Sequence, residues 1–138
     1  MANEALVQAV KSIMKLGKEG RVEEAYQGYK SLFAGPDFAT FRPEDQRQAL
    51  RLMIHAKGAP ERLTDAMAEA YRAAIQPLQA LVDAHGEPAD YELLGLCYAR
   101  LGDIPGADIA FRTGLTLERE RNPSSDLCGL LMKRISLL

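Results

Sequence analysis

The amino-acid sequence predicts an all-α fold of about seven helices arranged as antiparallel pairs. Apolar residues recur at three- and four-residue spacing along most of the chain, as they do on one face of a helix. The second observation is an internal repeat of a turn glycine, an alanine five residues later and an aromatic residue four further on. This pattern occurs as Gly20, Ala25 and Tyr29 and again as Gly102, Ala107 and Phe111. Such a repeat predicts stacked helical hairpins.

The composition predicts one soluble domain covering residues 1–138. Of these residues, 47% are hydrophobic and 26% are charged, which suits a single globular core. A net charge of −2 with scattered basic residues predicts no nucleic-acid partner. Cys97 and Cys128 lack CxxC spacing, as expected for reduced thiols. No secretory leader and no apolar run of about 18 residues is recognisable, so we expect a cytoplasmic protein without membrane contact.

The first helical pair is predicted between residues 3 and 35. Asn3 can cap a helix that runs to Gly17, and Gly20-Arg21 separates it from a second helix that stops at Gly35-Pro36. The predicted apolar stripes are Leu6, Ala9, Val10, Ile13 and Leu16 in the first helix and Val22, Ala25, Tyr26, Tyr29, Leu32 and Phe33 in the second.

The middle pair is predicted between residues 43 and 85. Pro43 opens a helix that runs to Gly58, with Leu50, Met53, Ile54 and the stem of Lys57 on its buried face. Thr64 can cap the next helix, which ends at His85-Gly86. Pro77 lies within that helix, and the apolar residues before and after it keep the same helical spacing. This indicates one bent helix or two nearly collinear ones.

The third pair, residues 88–121, carries the most specific pattern in the chain. Gly95 lacks a Cβ and lets a neighbouring helix approach closely, while Ala107 and Phe111 supply a small and a large residue on the returning helix. Asp103 is the expected N-cap of that helix, with Pro105 in its first turn. Across this pair, the residues Tyr91, Leu94, Gly95, Tyr98, Ala107 and Phe111 follow the spacing W-x2-L-G-x2-Y…A-x3-F, with Tyr in place of Trp.

That spacing resembles the tetratricopeptide repeat (TPR) family. The resemblance implies a right-handed superhelix of three repeats, at about residues 3–35, 43–85 and 88–121, of which the middle one is degenerate. The tail from 124 to 138 is predicted as a seventh helix, capped by Ser124 or Ser125, with Leu127, Leu131 and Leu138 on one face. It either caps the last repeat or exposes Leu130, Met132, Ile135 and Leu137 as a seam for a homodimer or another partner.

The TPR resemblance implies a non-catalytic adaptor whose first helices line a concave groove for a peptide or helix of another protein. By the family register, the groove residues are Val10, Met14, Lys18, Gln48, Leu52, His55, Glu92, Leu96, Ala99 and Arg100. The other interpretation of Val10, Met14 and Leu52 is that they belong to the core. The positions that clamp chaperone carboxylates in one TPR class hold Val10, Met14, Ala49, Ala89 and Leu93, so that clamp is absent. A small secretion-type chaperone that holds an unfolded client is the alternative function.

No pattern for catalysis, a metal or a cofactor is recognisable. His55 and His85 lie in separate helical segments without a suitably spaced nucleophile. The two histidines with Cys97 and Cys128 match no known metal-ligand spacing. We therefore expect neither an active site nor a bound metal ion or cofactor.

Overall fold

The computed structural model describes residues 3–138, so the first two residues of the predicted domain lie outside the described part. Within that part there are seven α-helices and no strand, which confirms the all-α prediction. The helices are α1 (Glu4–Lys18), α2 (Val22–Ala34), α3 (Pro43–Ile54), α4 (Asp65–His85), α5 (Pro88–Arg100), α6 (Ile104–Arg121) and α7 (Asp126–Ser136), with a short 3₁₀ helix at Phe38–Thr40.

Four of the helices begin with a side-chain N-cap at a position that the sequence predicts. The Asn3 carboxamide oxygen accepts hydrogen bonds from the N–H groups at the start of α1, at 2.8 and 3.2 Å. Thr64 and Asp103 cap α4 and α6 in the same way, at 3.3 and 3.0 Å. Of the two candidate serines before α7, the cap is Ser125, whose hydroxyl oxygen accepts from the N–H of Cys128 at 3.4 Å. Each cap satisfies a backbone donor that the helix leaves without a partner.

The middle of the chain differs from the prediction in two places. Helix α3 ends at Ile54 rather than at Gly58, and Lys57 is exposed beyond its end instead of lying on its buried face. The reason is local, because Gly58 has a φ of +74° and Pro60 disfavours helical backbone just before it. Of the two alternatives around Pro77, the structure has one helix, α4, with the proline inside it.

The chain divides into two compact units, one ending at Pro77 and the other running from Leu78 to Leu138. The boundary lies inside α4. The single superhelical domain over residues 1–138 stays a prediction.

The core of the first unit is rich in aromatic side chains. Tyr29 stacks on Phe33 with ring centroids 5.7 Å apart, and Phe33 meets Phe38 edge-on at 5.2 Å. Where α1 crosses α2, a Cβ at Gly28 would lie 2.7 Å from Cγ1 of Ile13. The glycine therefore lets the two helices approach closely, and buried Ile13 fills the space beside it.

The second unit has a similar close contact between its helices α5 and α6. There the glycine lies on the first helix of the pair, whereas Gly28 lies on the second. A Cβ at Gly95 on α5 would overlap the ring of Phe111 on α6, reaching 2.9 Å from its Cζ and closer to two other ring carbons. This confirms the predicted close approach of the two helices. Phe111 belongs to a buried cluster with Ala107, Leu115, Cys128 and Leu131, the last two from α7.

The turns that join α1 to α2 and α5 to α6 are structurally equivalent. Gly20 and Gly102, 82 residues apart, have φ values of 80° and 82°. In each turn the glycine N–H donates to the carbonyl three residues earlier at 3.1 Å, and the next N–H donates to the carbonyl five residues earlier at 2.9 Å. These bonds form the Schellman motif, which places a left-handed residue just after the helix and so favours glycine there.

Helix α7 packs on the core and leaves part of its apolar surface exposed, and the predicted seam for a partner stays a prediction. Leu131 is fully buried, and Leu127 and Ile135 pack partly against the core cluster, as expected of a cap. Leu138 was predicted on that face but is exposed, because the helix ends at Ser136. On the other side, Met132 and Leu137 are exposed apolar side chains.

Candidate protein-binding groove

Helices α1 and α3 of the first unit form the walls of an open apolar cavity of about 360 Å³. The spacing of its α1 residues follows one helix face, from Leu6 and Val7 through Val10 to Met14. The α3 wall is built in the same way at three- and four-residue intervals. The lining residues are Leu6, Val7, Val10, Lys11, Met14, Asp45, Gln48, Ala49 and Leu52.

A second cavity of about 360 Å³ continues the first one toward the C-terminal ends of α1 and α3. The two cavities share Met14 and Leu52 in their linings. Beyond these two residues the second cavity is lined by Ile13, Gly17, Lys18, Val22, Ala25, Tyr26, Tyr29, Met53, Ala56, Lys57, Gly58, Ala59 and Pro60. We call the two cavities together the α1–α3 groove.

Met14 and Leu52 are the most exposed apolar side chains of this groove. Their exposed fractions are 42% and 36%, although each lies at the junction of two apolar cavities. Single exposed apolar residues are common on protein surfaces, but two of them that line one concave groove mark a surface suited to binding.

The groove is lined by more positive than negative side chains. Its carboxylate, Asp45, is nearly buried and accepts hydrogen bonds from Nε and Nη2 of Arg42 at 3.0 and 3.3 Å. Three lysines, Lys11, Lys18 and Lys57, also line the groove. Among residues 3–138, none of the three has an ion-pair partner. The groove therefore has an apolar floor with uncompensated positive charge at its edges.

Five of the six groove residues predicted for this unit line the α1–α3 groove: Val10, Met14, Lys18, Gln48 and Leu52. The sixth, His55, lines neither cavity; it terminates α3, with its N–H donating to the carbonyl of Arg51 at 2.9 Å. The register missed Leu6, Val7 and Lys11. Their positions one turn before Val10 and Met14 on the same helix face were the signal that could have found them.

In the second unit, the four predicted positions are buried or half-buried. Glu92 is only 2% exposed, and its carboxylate accepts a hydrogen bond from Nε of Arg134 on α7 at 3.2 Å. Leu96 and Ala99 pack against the core cluster that includes α7, and Arg100 is half-buried. The physical reason is that α7 covers this face of α5.

The two units are related by the same 82-residue correspondence that relates their turns. It extends to α3 and α7, where Gln46, Ala49 and Met53 correspond to Cys128, Leu131 and Ile135, all buried or half-buried, although buried Leu50 corresponds to exposed Met132. Under this correspondence, Val10 and Leu52 of the groove match Glu92 and Arg134. An apolar pair in the first unit thus corresponds in the second to an ion pair between a buried and a half-buried side chain.

Other reactive groups lie away from this groove. Burial, and secondarily the charge of Glu92, raises the pKa of the Cys97 thiol far above its ordinary value, which keeps it protonated and unreactive at neutral pH. Among the described residues, no three His, Cys, Asp or Glu side chains cluster in a way that could hold a metal ion. Within the same part of the chain, no helix combines the length and apolar character needed to cross a membrane.

The fold and the groove define this chain as an all-α protein with an open apolar groove in its first unit. Compared with known proteins, the chain matches no protein-family model, no curated protein and no solved structure. The functional argument therefore depends on the groove itself.

Proposed function

We propose that this protein is a non-catalytic, TPR-like adaptor that binds a segment of another protein in the α1–α3 groove, in the cytoplasm. The observation that carries the proposal is the pair Met14 and Leu52, which stay exposed at the junction of two apolar cavities. The repeated Schellman turns and the close contact of Gly95 with Phe111 support the TPR-like repeat.

The energetic argument is that a partner removes this apolar surface from water. Complete burial of one large apolar side chain stabilises a complex by about 1.5–3 kcal/mol. Because Met14 and Leu52 are already more than half buried, each would contribute roughly 0.6–1.2 kcal/mol to partner binding. Two apolar side chains on one concave surface suit the core of an interface, which is more apolar than its rim.

The test is affinity capture from a lysate of the source cell, followed by mass spectrometry, with the wild-type chain and a Met14→Glu/Leu52→Glu variant. The variant should stay folded and lose its partner, because two carboxylates would have to be desolvated against an apolar ligand. Ile109→Glu is the matched control, since Ile109 is a more exposed apolar residue on α6 that lines neither cavity.

Two results would change the proposal. If the groove variant captures the same proteins as the wild type, binding occurs elsewhere, and Met132→Glu on α7 then tests the homodimer or partner seam of the last helix. If the captured protein is an exported client in an unfolded state, the secretion-type chaperone becomes the better description.

A further inference from the structure

We infer that the occupant of the α1–α3 groove is an acidic amphipathic α-helix of another protein. This inference builds on the proposed function and adds the chemistry and conformation of the partner. Three features of the groove support it: the lysines have no ion-pair partner among the described residues, both walls are helices, and the length of the groove matches a short helix.

The first argument is charge complementarity. Lys11, Lys18 and Lys57 line the groove without an ion-pair partner, while the negative charge of Asp45 is already matched by Arg42. The chain as a whole carries a net charge of −2, so these lysines are a local feature and not part of a generally basic surface. A partner with glutamate or aspartate flanking its apolar side chains would complement them, and a basic partner would be repelled.

The second argument concerns backbone hydrogen bonds. Both walls are helices, whose backbone groups are bonded internally, so they offer an incoming chain no strand edge to pair with. The floor is almost entirely apolar, with Gln48 as its uncharged polar side chain in the first cavity. An extended peptide would bury backbone N–H and C=O groups without partners, whereas a helix satisfies its own.

The third argument is length. The α1 wall runs from Leu6 to Lys18, and at 1.5 Å per residue this spans about 18 Å. A partner helix of about 12 residues, or between three and four turns, matches that length. Its apolar residues would lie at i, i+3, i+4 and i+7, as in other helix-in-groove complexes.

Helix α7 of a second copy of this chain does not fit the groove well. Its own α7 has an exposed apolar side with Met132 and Leu137, but the last turn of that helix carries Lys133 and Arg134. Arg134 is paired with Glu92, but exposed Lys133 would meet the groove's lysines. The charge pattern therefore favours a different protein as the occupant over self-association.

The experiment uses two synthetic helical peptides of about 14 residues, long enough to fill the groove. Both carry leucine at i, i+3, i+4 and i+7, and their flanking positions are glutamate in one peptide and lysine in the other. Binding to the full chain is measured by fluorescence anisotropy at low and high salt. The protein variants are Lys11→Glu/Lys18→Glu/Lys57→Glu, Met14→Glu/Leu52→Glu and, as a matched control, Lys15→Glu, which changes an exposed α1 lysine that lines neither cavity.

The expected result is that the glutamate peptide binds the wild type about tenfold or more tightly than the lysine peptide, with an affinity that falls as salt rises. The triple reversal should invert this preference, the Lys15→Glu control should keep it, and the Met14→Glu/Leu52→Glu variant should bind neither peptide.

Equal affinity for both peptides, or no binding of the glutamate peptide, would overturn the inference. In that event the capture experiment separates the two proposals. If the Met14→Glu/Leu52→Glu variant still loses its cellular partner, the groove function stands and only the partner's chemistry is wrong. If capture is also unaffected, the proposed function fails as well. A dimer that dissociates in the same variant would identify a second copy as the occupant and overturn the acidic-helix inference.

Discussion

Replacing Gly95 with alanine tests the closest helix contact in the second unit. The added Cβ would overlap the ring of Phe111, which is almost completely buried and surrounded by the cluster of α6 and α7 residues. Because the ring has packed neighbours on its other side, it cannot move away without opening the core. We therefore expect Gly95→Ala to destabilise the fold.

The size of the effect is the difference between two opposing terms. Overpacking of this kind costs about 1–3 kcal/mol, while alanine is better than glycine in a helix by about 0.8–1.0 kcal/mol. The net loss for Gly95→Ala should therefore be about 1 kcal/mol, within a range of roughly 0–2. Gly129 on α7 provides the matched control, since a Cβ there would meet no atom within 4 Å. Gly129→Ala gains only the higher helix propensity of alanine. The difference in the free energy of unfolding between the two variants therefore gives the packing cost at Gly95.

The measurement is urea unfolding of the wild type and both variants, monitored by circular dichroism, with the free energy of unfolding compared at equal m-value. Gly129→Ala should be more stable than Gly95→Ala by about 1–3 kcal/mol. A third variant, Gly95→Ala/Phe111→Leu, should lose less than the sum of its two single changes, because the smaller side chain leaves room for the new methyl group. The reasoning is refuted if Gly95→Ala is stabilised as much as Gly129→Ala.

Three further predictions concern the groove, the closed face of α5 and a buried thiol. Met14→Glu and Leu52→Glu should each change the free energy of unfolding by no more than about 0.5 kcal/mol, as expected of exposed positions, and a loss of several kcal/mol in thermal or urea unfolding would make them core residues. Arg134→Ala should destabilise the protein by about 1–3 kcal/mol in urea unfolding, because it removes a charged partner of buried Glu92; a loss below about 0.5 kcal/mol would contradict that role. Burial raises the pKa of Cys97 in the folded state, so the unfolded state loses its thiol proton first as the pH rises. The stabilising contribution of the protonated thiol is present below the ordinary thiol pKa of about 8.5 and should decline above it. In urea unfolding from pH 7 to 10, the free energy of unfolding should therefore fall more steeply for the wild type than for Cys97→Ala. Equal slopes would contradict the assignment.

Leu96 is a groove position by the family register, but it is not suitable for a binding test in which Leu52 and Leu96 are both replaced by glutamate. Leu52 is exposed in the groove, but Leu96 packs against the core cluster of its unit. A glutamate at position 96 would place a carboxylate against apolar neighbours and destabilise the fold, so loss of binding in that variant would not be informative. Met14 replaces Leu96 as the second groove position.

The sequence by itself determined the helices, their caps and the first-unit groove face. Local rules were sufficient, because an N-cap such as Asn3 or Asp103 acts within three residues, and helical periodicity places Val10 and Met14 on one face before any tertiary contact is known. The glycine turn at Gly102 is local in the same sense, since its backbone conformation excludes most other residues.

The tertiary structure alone decided which faces stay open. Glu92 looked like a groove residue by register, and only the packing of α7 shows that Arg134, 42 residues away, pairs with it and covers it. Likewise, only the tertiary structure brings Lys57 to the groove that Lys11 and Lys18 also line. Sequence periodicity identifies the face of a helix, but whether that face is buried depends on contacts between distant segments, whose pairing no local pattern encodes.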